Sequence, residues 1–281
     1  MFQANLLAGR TIFITGGGTG LGRSMALRFA GLGARVFLVG RREEPLRDTA
    51  DVIQSRGGQA GYATADVRDF AAVEAASSAA EEAFGRVDTL VNNAAGNFIA
   101  RTERLSPNAF NAVVSIVLHG TFHCTLAFGR RWIAAGQPGV VLNIATTYAD
   151  TGSGFVVPSA CAKAGVLAMT RSLAVEWARH RIRCVAIAPG PFPTEGAWSR
   201  LLPTKEFEER VLAAHPLKRF GRHDELADLA AYLVSPQADY INGECVVIDG
   251  AQWLRGAGQF SHLDELSDAV WEQLEFARER S

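Results

Sequence analysis

Thr15-Gly16-Gly17-Gly18-Thr19-Gly20-Leu21-Gly22 follows a short apolar run and opens a helical pattern. Glycine lacks the Cβ that would hold a backbone away from a pyrophosphate, and a helix N-terminus offers free N–H groups and the positive end of its dipole. In that strand-turn-helix context the turn predicts dinucleotide binding rather than a tight bend alone. The second apolar run ends Val39-Gly40-Arg41-Arg42, with no acidic residue to hold the adenosine ribose hydroxyls. Arg41 or Arg42 can instead pair with a ribose phosphate, which favours NADPH over NADH. Farther along, Lys163 follows Ser159 by four residues, one helical turn, and Tyr148 stands fifteen residues ahead of the lysine. An ammonium, a hydroxyl and a phenol are groups that donate hydrogen bonds to a reacting oxygen.

These residues need a scaffold, and the pattern supplies one. Thr11 to Thr15, Arg35 to Val39, Gly61 to Ala65, Thr89 to Asn92, Val140 to Ala145, Arg183 to Ala188 and Cys245 to Ile248 read as short buried strands. Between them Gly20 to Gly31, Glu43 to Arg56, Asp69 to Phe84, Pro107 to Ala135, Ser159 to His180 and Asp224 to Leu233 carry helical spacing. Continuous apolar strands alternating with helices predict an α/β fold, a Rossmann-type doubly wound parallel sheet of about seven strands in a single domain. That domain is expected over 1–250, with a helical extension over 251–281. The Pro189-Gly190-Pro191-Phe192-Pro193 stretch and the residues to about 220 are expected to form a substrate lid over the carboxyl ends of the strands. In the extension, Leu263, Leu266, Val270, Trp271 and Leu274 share one helical face, expected to pack on its own domain.

Composition narrows the class. A chain of 281 residues that is 48% hydrophobic can bury a large core, and 28 Lys plus Arg against 29 Asp plus Glu give no basic excess for nucleic acid or an anionic membrane. Cys124, Cys161, Cys184 and Cys245 form no metal-ligand or C-x-x-C spacing, so free thiols in a reducing, cytoplasmic setting are expected, with no metal. No membrane span is expected from the apolar runs. Periodic structure starting near Arg10 leaves no room for a leader, and the terminal Glu-Arg-Ser is not a peroxisomal signal.

From Arg10 to Gly250 the ordered motifs resemble the short-chain dehydrogenase/reductase family. Beside the glycine turn these are Asp66-Val67 after the third strand, Asn92-Asn93-Ala94-Ala95-Gly96 after the fourth, Lys163 in Ala-Lys-Ala-Gly, and Pro189-Gly190 after the sixth. The resemblance implies that Thr15, Gly16, Gly18, Thr19, Gly20, Leu21, Gly22, Arg41, Arg42, Asp66, Val67, Asn93, Ala94, Ala95, Gly96, Lys163, Pro189, Gly190, Pro191 and Phe192 line the cofactor. One departure stands out. The family's catalytic tyrosine, four residues before the lysine, is Ser159 here; its serine is Thr146, and an asparagine usual in the fourth helix is Val117.

The segments Asn93 to Ile99, Thr102 to Ala109, Thr151 to Ser159 and Gly196 to Leu201 resemble the 2,4-dienoyl-CoA reductase branch. By that resemblance Tyr148 and Asn97 hold the thioester carbonyl oxygen, Lys163 binds the nicotinamide ribose, Ser159 orients cofactor or substrate, and Arg68, Phe98, Ser106 and Arg200 contact an acyl-CoA. It also implies a homotetramer built on the helices after Pro107 and Ser159. Alternatives are a 2-enoyl-CoA reductase, another short-chain oxidoreductase, or a non-catalytic NADP-binding protein. For Ser159 a plain helix-capping role is an equal reading. His119, in an apolar helix, reads as a satisfied core histidine.

Overall fold

The computed structural model describes residues 3–194 and 204–278. Within them the chain alternates as the pattern predicts: β1 (Thr11–Thr15), α1 (Gly20–Gly31), β2 (Arg35–Gly40), α2 (Glu43–Ser55), β3 (Gln59–Thr64), α3 (Phe70–Phe84) and β4 (Thr89–Asn92) form the first half. The second half runs α4 (Pro107–Val114), α5 (Gly120–Ala134), β5 (Gly139–Ile144), α6 (Tyr148–Thr151), α7 (Val157–Glu176), β6 (Ile182–Pro189), α8 (Lys205–Ala214), α9 (His223–Val234) and β7 (Cys245–Ile248). After the sheet come α10 (Gln252–Ala257) and α11 (Asp268–Arg278).

All seven strands are parallel, in the order β3-β2-β1-β4-β5-β6-β7, so chain order reverses between β1 and β4. Alternate strand residues feed opposite layers: Ile12 and Ile14 join the layer beneath α1, α2 and α9, while Phe13 joins the layer beneath α3 and α5. Phe13 meets Phe128 edge-to-face at 4.8 Å, and Trp132 donates from Nε1 to Val87 O at 2.7 Å. Aromatic packing of this kind adds to area burial and fixes the helices on the sheet.

Three departures from the sequence pattern matter. The helix expected over Pro107 to Ala135 is interrupted at Ser115–His119 by a wide, π-type turn. The joined Pro107–Ala134 segment of 28 residues is long and apolar enough to cross a membrane by length and composition, contrary to expectation, but half of its most apolar window is buried, with α4 against α7 and α5 against α3. In the C-terminal extension, Leu263 and Leu266 are partly buried, whereas Val270 and Trp271 stay more than a third exposed and Leu274 half exposed, so the expected face is covered only in part.

Arg183 illustrates a structural residue that composition hides. It is nearly buried on β6 and donates to Ile241 O, Leu233 O and Ser235 O at 3.0, 3.1 and 3.3 Å, with Asp239 at 3.6 Å. It thereby ties the end of α9 to the sheet. Arg183→Met is expected to destabilise the fold by about 2–4 kcal/mol, because several buried carbonyls lose their donor. Urea denaturation measures it, and a change below about 0.5 kcal/mol would contradict this role.

Candidate active site

The reversal between β1 and β4 opens the crevice, and two side chains hold its walls together. Thr15 Oγ accepts from the Asn93 and Ala94 amides, both at 3.0 Å, while Asn93 Nδ2 donates to Thr15 O at 3.0 Å and Gly16 O at 3.2 Å. The side chains of Thr15 and Asn93, expected to touch the cofactor, are therefore spent on joining the glycine turn to the loop after β4. Glycine is obligatory at the closest point: a Cβ on Gly22 would sit 2.2 Å from Gly16 O and 2.5 Å from Asn93 Nδ2, and Gly16 itself has φ +66°. Beyond the turn, Thr19 caps α1 without a side-chain hydrogen bond and no acid occupies the first turn, so the helix N-terminus presents its N–H groups and dipole. Gly18 and Gly20 lie on that turn, with Leu21 packed into the layer beneath it.

Arg41 and Arg42 are exposed where β2 ends. The charge of Arg41 reaches Asp66, but the larger effect on that carboxylate is Arg68, which forks onto it with Nη2 at 2.6 Å and holds its pKa below the usual range. Arg68 and Asp66 line an open cleft of about 400 Å³ with Asp69, Ser115 and His119. His119 is exposed in this cleft, not a core histidine: the wide turn Ser115–His119 swings it out of the packed face. Val67 is buried against Gly120, where a Cβ would come within 2.4 Å, and so seats α5.

On the other side, Ala94, Ala95 and Gly96 lead from β4 to Asn97. A single helical turn, α6, follows β5 and carries Tyr148. Tyr148 Oη lies 3.1 Å from Ser159 Oγ, and Asn97 Nδ2 donates to it at 3.4 Å. Asn97 Oδ1 accepts from the Phe98 amide at 2.9 Å, which sets the side-chain amide with Nδ2 towards the phenol. Ser159 is buried and is not the helix cap: α7 begins at Val157 with Val156 as its cap, so the hydroxyl is free for Tyr148. One turn on, Lys163 is buried and donates to Ile144 O. Burial lowers its pKa to about 8.

The remaining expected residues sort themselves by contact. Phe98 packs on the buried cluster Val113, Val117, Ala162 and Val166, so the place of the family's asparagine is filled by an apolar side chain. Ser106 caps α4, accepting from Ala109 N at 3.1 Å, and its hydroxyl proton is left to donate. Pro189, Gly190 and Pro191 leave β6, with Gly190 pressed on Asp249, whereas the Phe192 ring is in the core against Gly221. Arg200 lies outside the described residues. Two features were not anticipated. A buried ladder joins Asn92 to Thr125 and Asn143, and Asn143 to Thr170, at 2.8–3.0 Å; asparagines at the ends of otherwise apolar strands were the available signal. His223 bridges Ser24 and Pro193 O.

An uncapped helix N-terminus, a glycine turn too crowded for side chains, and a buried ammonium with donors to spare fit a nicotinamide dinucleotide. The family model described as enoyl-(acyl carrier protein) reductase matches residues 16–251. The chain belongs to the short-chain dehydrogenase/reductase family. It is 47% identical to a probable 2,4-dienoyl-CoA reductase, (2E)-enoyl-CoA-producing, of Bacillus subtilis, over 87% of this chain and 97% of the relative. It is 40% identical to probable 2,4-dienoyl-CoA reductase 3, (3E)-enoyl-CoA-producing, of Caenorhabditis elegans, over 95% and 87%. A crystal structure of a short chain dehydrogenase from Bacillus anthracis shares 44% identity, with TM-score 0.80, over 87% of this chain and 96% of that one. As a member of this family the protein is an oxidoreductase that binds a nicotinamide cofactor, on the seven-stranded Rossmann-type sheet described above.

Because the folded pKa of Lys163 lies below its unfolded value of 10.5, unfolding takes up a proton between about pH 8 and 10.5. Stability is then present above the unfolded pKa and lost as pH falls through the folded one. Apo wild type is expected to gain about 2 kcal/mol on apo Lys163→Met between pH 7 and pH 9.5. Parallel stability curves for the two proteins across that range would refute the buried charge.

Proposed function

We propose that this chain reduces 2,4-dienoyl-CoA thioesters to 3-enoyl-CoA with NADPH, in the degradation of unsaturated fatty acids. The observation that carries the proposal is the hydrogen-bonded row Asn97, Tyr148, Ser159, assembled although the family's tyrosine position holds a serine. Bound NADPH supplies a hydride, at the far end of the conjugated diene. Electron density then moves through the diene to the thioester oxygen, where Tyr148 Oη and Asn97 Nδ2 donate hydrogen bonds. Donors preset where negative charge develops lower a barrier more than donors that must reorient.

Ser159 holds the phenol from below and Phe98 orients the amide from behind. The enolate takes a proton from solvent at the carbon next to the thioester, which leaves the double bond at C3. Protonation two carbons farther along would instead give a 2-enoyl-CoA, the product in the name of the Bacillus subtilis relative. Lys163 donates to the nicotinamide ribose, which relieves its burial cost, and its charge adds positive potential to the site. Arg41 or Arg42 takes the ribose phosphate. Arg68, whose Nε and Nη2 engage Asp66, offers Nη1 to a CoA phosphate, and Arg200 is assigned a second phosphate contact.

We assign a cytoplasmic setting, in keeping with four free thiols, and a homotetramer, in keeping with the exposed apolar Phe122 and Val175 on α5 and α7. A second reading, reduction of the 2,3 double bond of an enoyl thioester, is favoured by the description of the matching family model. It uses the same donors on the same oxygen, but hydride arrives at the nearer alkene carbon.

Tyr148→Phe is expected to lower kcat by about 10²–10³ while NADPH affinity stays within about twofold. Purified protein is mixed with NADPH and a 2,4-dienoyl-CoA or a 2-enoyl-CoA, and loss of cofactor absorbance is followed with product analysis by NMR. Turnover of the enoyl substrate alone would establish the second reading, and unchanged turnover by the variant would remove Tyr148 from the mechanism.

A further inference from the structure

The strand exit Pro189-Gly190-Pro191-Phe192-Pro193 has a difficulty built into its composition. Three of its five residues are prolines and have no N–H, so the segment can accept hydrogen bonds but can donate few of its own. It makes two backbone links, Gly190 N to Ile248 O at 3.0 Å and Gly221 N to Pro191 O at 3.1 Å. Past these, the segment needs a donor from elsewhere, and His223 provides it: Nε2 lies 2.6 Å from Pro193 O. A carbonyl only accepts, so Nε2 carries the proton. The other ring nitrogen, Nδ1, is 2.8 Å from Ser24 Oγ, on the first turns of α1. Ser24 Oγ is in turn 3.1 Å from Gly20 O, at the first residue of that helix.

The ring is therefore a strut between the glycine-turn helix and the loop after β6. It stands on a firm base. His223 opens α9, whose first turn is set by Glu225 accepting from the Arg222 amide at 2.8 Å and from Arg219 at 2.7 and 2.9 Å. Farther along, α9 packs on α1, with an Arg28–Asp228 ion pair. The loop lies close over the turn: a Cβ added to Gly20 would come within 3.3 Å of Thr194 Cγ2.

We propose that His223 is a positioning residue for the cofactor, holding the Pro191–Thr194 segment down on the N-terminal turn of α1 so that the crevice is closed along the nicotinamide half of the dinucleotide. The inference rests on the seat proposed above, with the nicotinamide beside Pro189–Phe192 and the pyrophosphate on the glycine turn. Because the strut rests on a side chain of α1, Ser24, and carries the loop on the nicotinamide side, its loss discriminates between the two halves of the ligand. The adenosine half, held by the glycine turn and the arginines, is unaffected by it.

The test compares NADPH with 2′,5′-ADP, which carries the adenosine half alone, by isothermal titration of wild type, His223→Ala, Ser24→Ala and the double variant. His223→Ala is expected to weaken NADPH about tenfold and to leave 2′,5′-ADP within about twofold, the effect of one lost hydrogen bond on a preformed loop. The double variant weakens NADPH no further than His223→Ala, since Ser24 acts through the ring. His223→Gln, which keeps an N–H donor and an acceptor, recovers part of the loss. Equal weakening of both ligands, or an unchanged NADPH affinity, would overturn the proposal. Wild-type protein that binds NADPH no more tightly than 2′,5′-ADP would overturn the nicotinamide seat itself, and the proposal with it.

Discussion

The exchange of hydrogen bonds between Thr15 and Asn93 is the constraint on which the rest of the site depends. The sheet reverses its order between β1 and β4, and the loops leaving those strands would otherwise diverge to opposite faces. Four hydrogen bonds keep them in contact, and the contact is close enough that Gly16 and Gly22 can be nothing larger. One consequence runs along β1 and presents the end of α1. The other runs along β4, five residues to Asn97, and brings its amide to Tyr148. The two ends of the crevice, the glycine turn and the Asn97–Tyr148 pair, are thus two outputs of a single junction. The buried ladder from Asn92 through Asn143 to Thr170 extends the junction across β5 into α7, the helix that carries Ser159 and Lys163.

That geometry explains how the phenol could change its place in the sequence without leaving the site. Ser159 is buried, and its hydroxyl is 3.1 Å from the phenol of Tyr148. An aromatic ring at position 159 would need the volume that Tyr148 already fills, so the two arrangements exclude each other. A small hydroxyl at 159 is what the moved tyrosine requires: room for the ring and a partner for its oxygen. With Val117 closing the apolar cluster where an amide stands in other family members, the phenol's hydrogen-bond partners among the described residues are Asn97 and Ser159. Both are tied to backbone or helix, so the phenol has little freedom to reorient.

The strands and the glycine turn were legible because local constraints and the global fold agree there. Each strand is short, apolar and flanked by turn residues, and a positive φ at Gly16 and Gly20 leaves few alternatives to glycine. Thr11–Thr15, Gly20–Gly31, Thr89–Asn92 and Cys245–Ile248 fall on the expected residues, and other boundaries move by one or two, except that the helix expected to reach His180 ends at Glu176. What was not legible depends on tertiary packing. Helical periodicity runs smoothly through Ser115–His119, so nothing local announces the wide turn that expels His119 into the cleft beside Arg68. Tyr148 lies on a four-residue turn too short to show any period. Phe192 sits amid prolines like a loop residue, but the missing side chain at Gly221 makes room for its ring. The apolar face of α11 has a clear period but stays partly exposed at Val270, Trp271 and Leu274, because amphipathicity states that a face wants burial without saying where.

Lys163 connects the stability of the fold to the use of the site. A buried ammonium with Ile144 O as its acceptor is an expensive feature, and the fall of its pKa to about 8 measures how poorly its surroundings replace water. A fold selected for stability alone would place a hydrophobic side chain there, as replacement of buried charges in other proteins shows. In the seat proposed above, ribose hydroxyls would supply the acceptors that the protein withholds, and the same desolvation that weakens the apo fold would strengthen the hold on the ligand. Ser159 and Tyr148 follow the opposite rule. Their hydroxyls are already paired with each other, which keeps the donor row in place before any substrate arrives. On that proposal the site divides its polar groups into those satisfied in advance, Tyr148 and Ser159, which give precision, and Lys163, held by one carbonyl, which gives affinity.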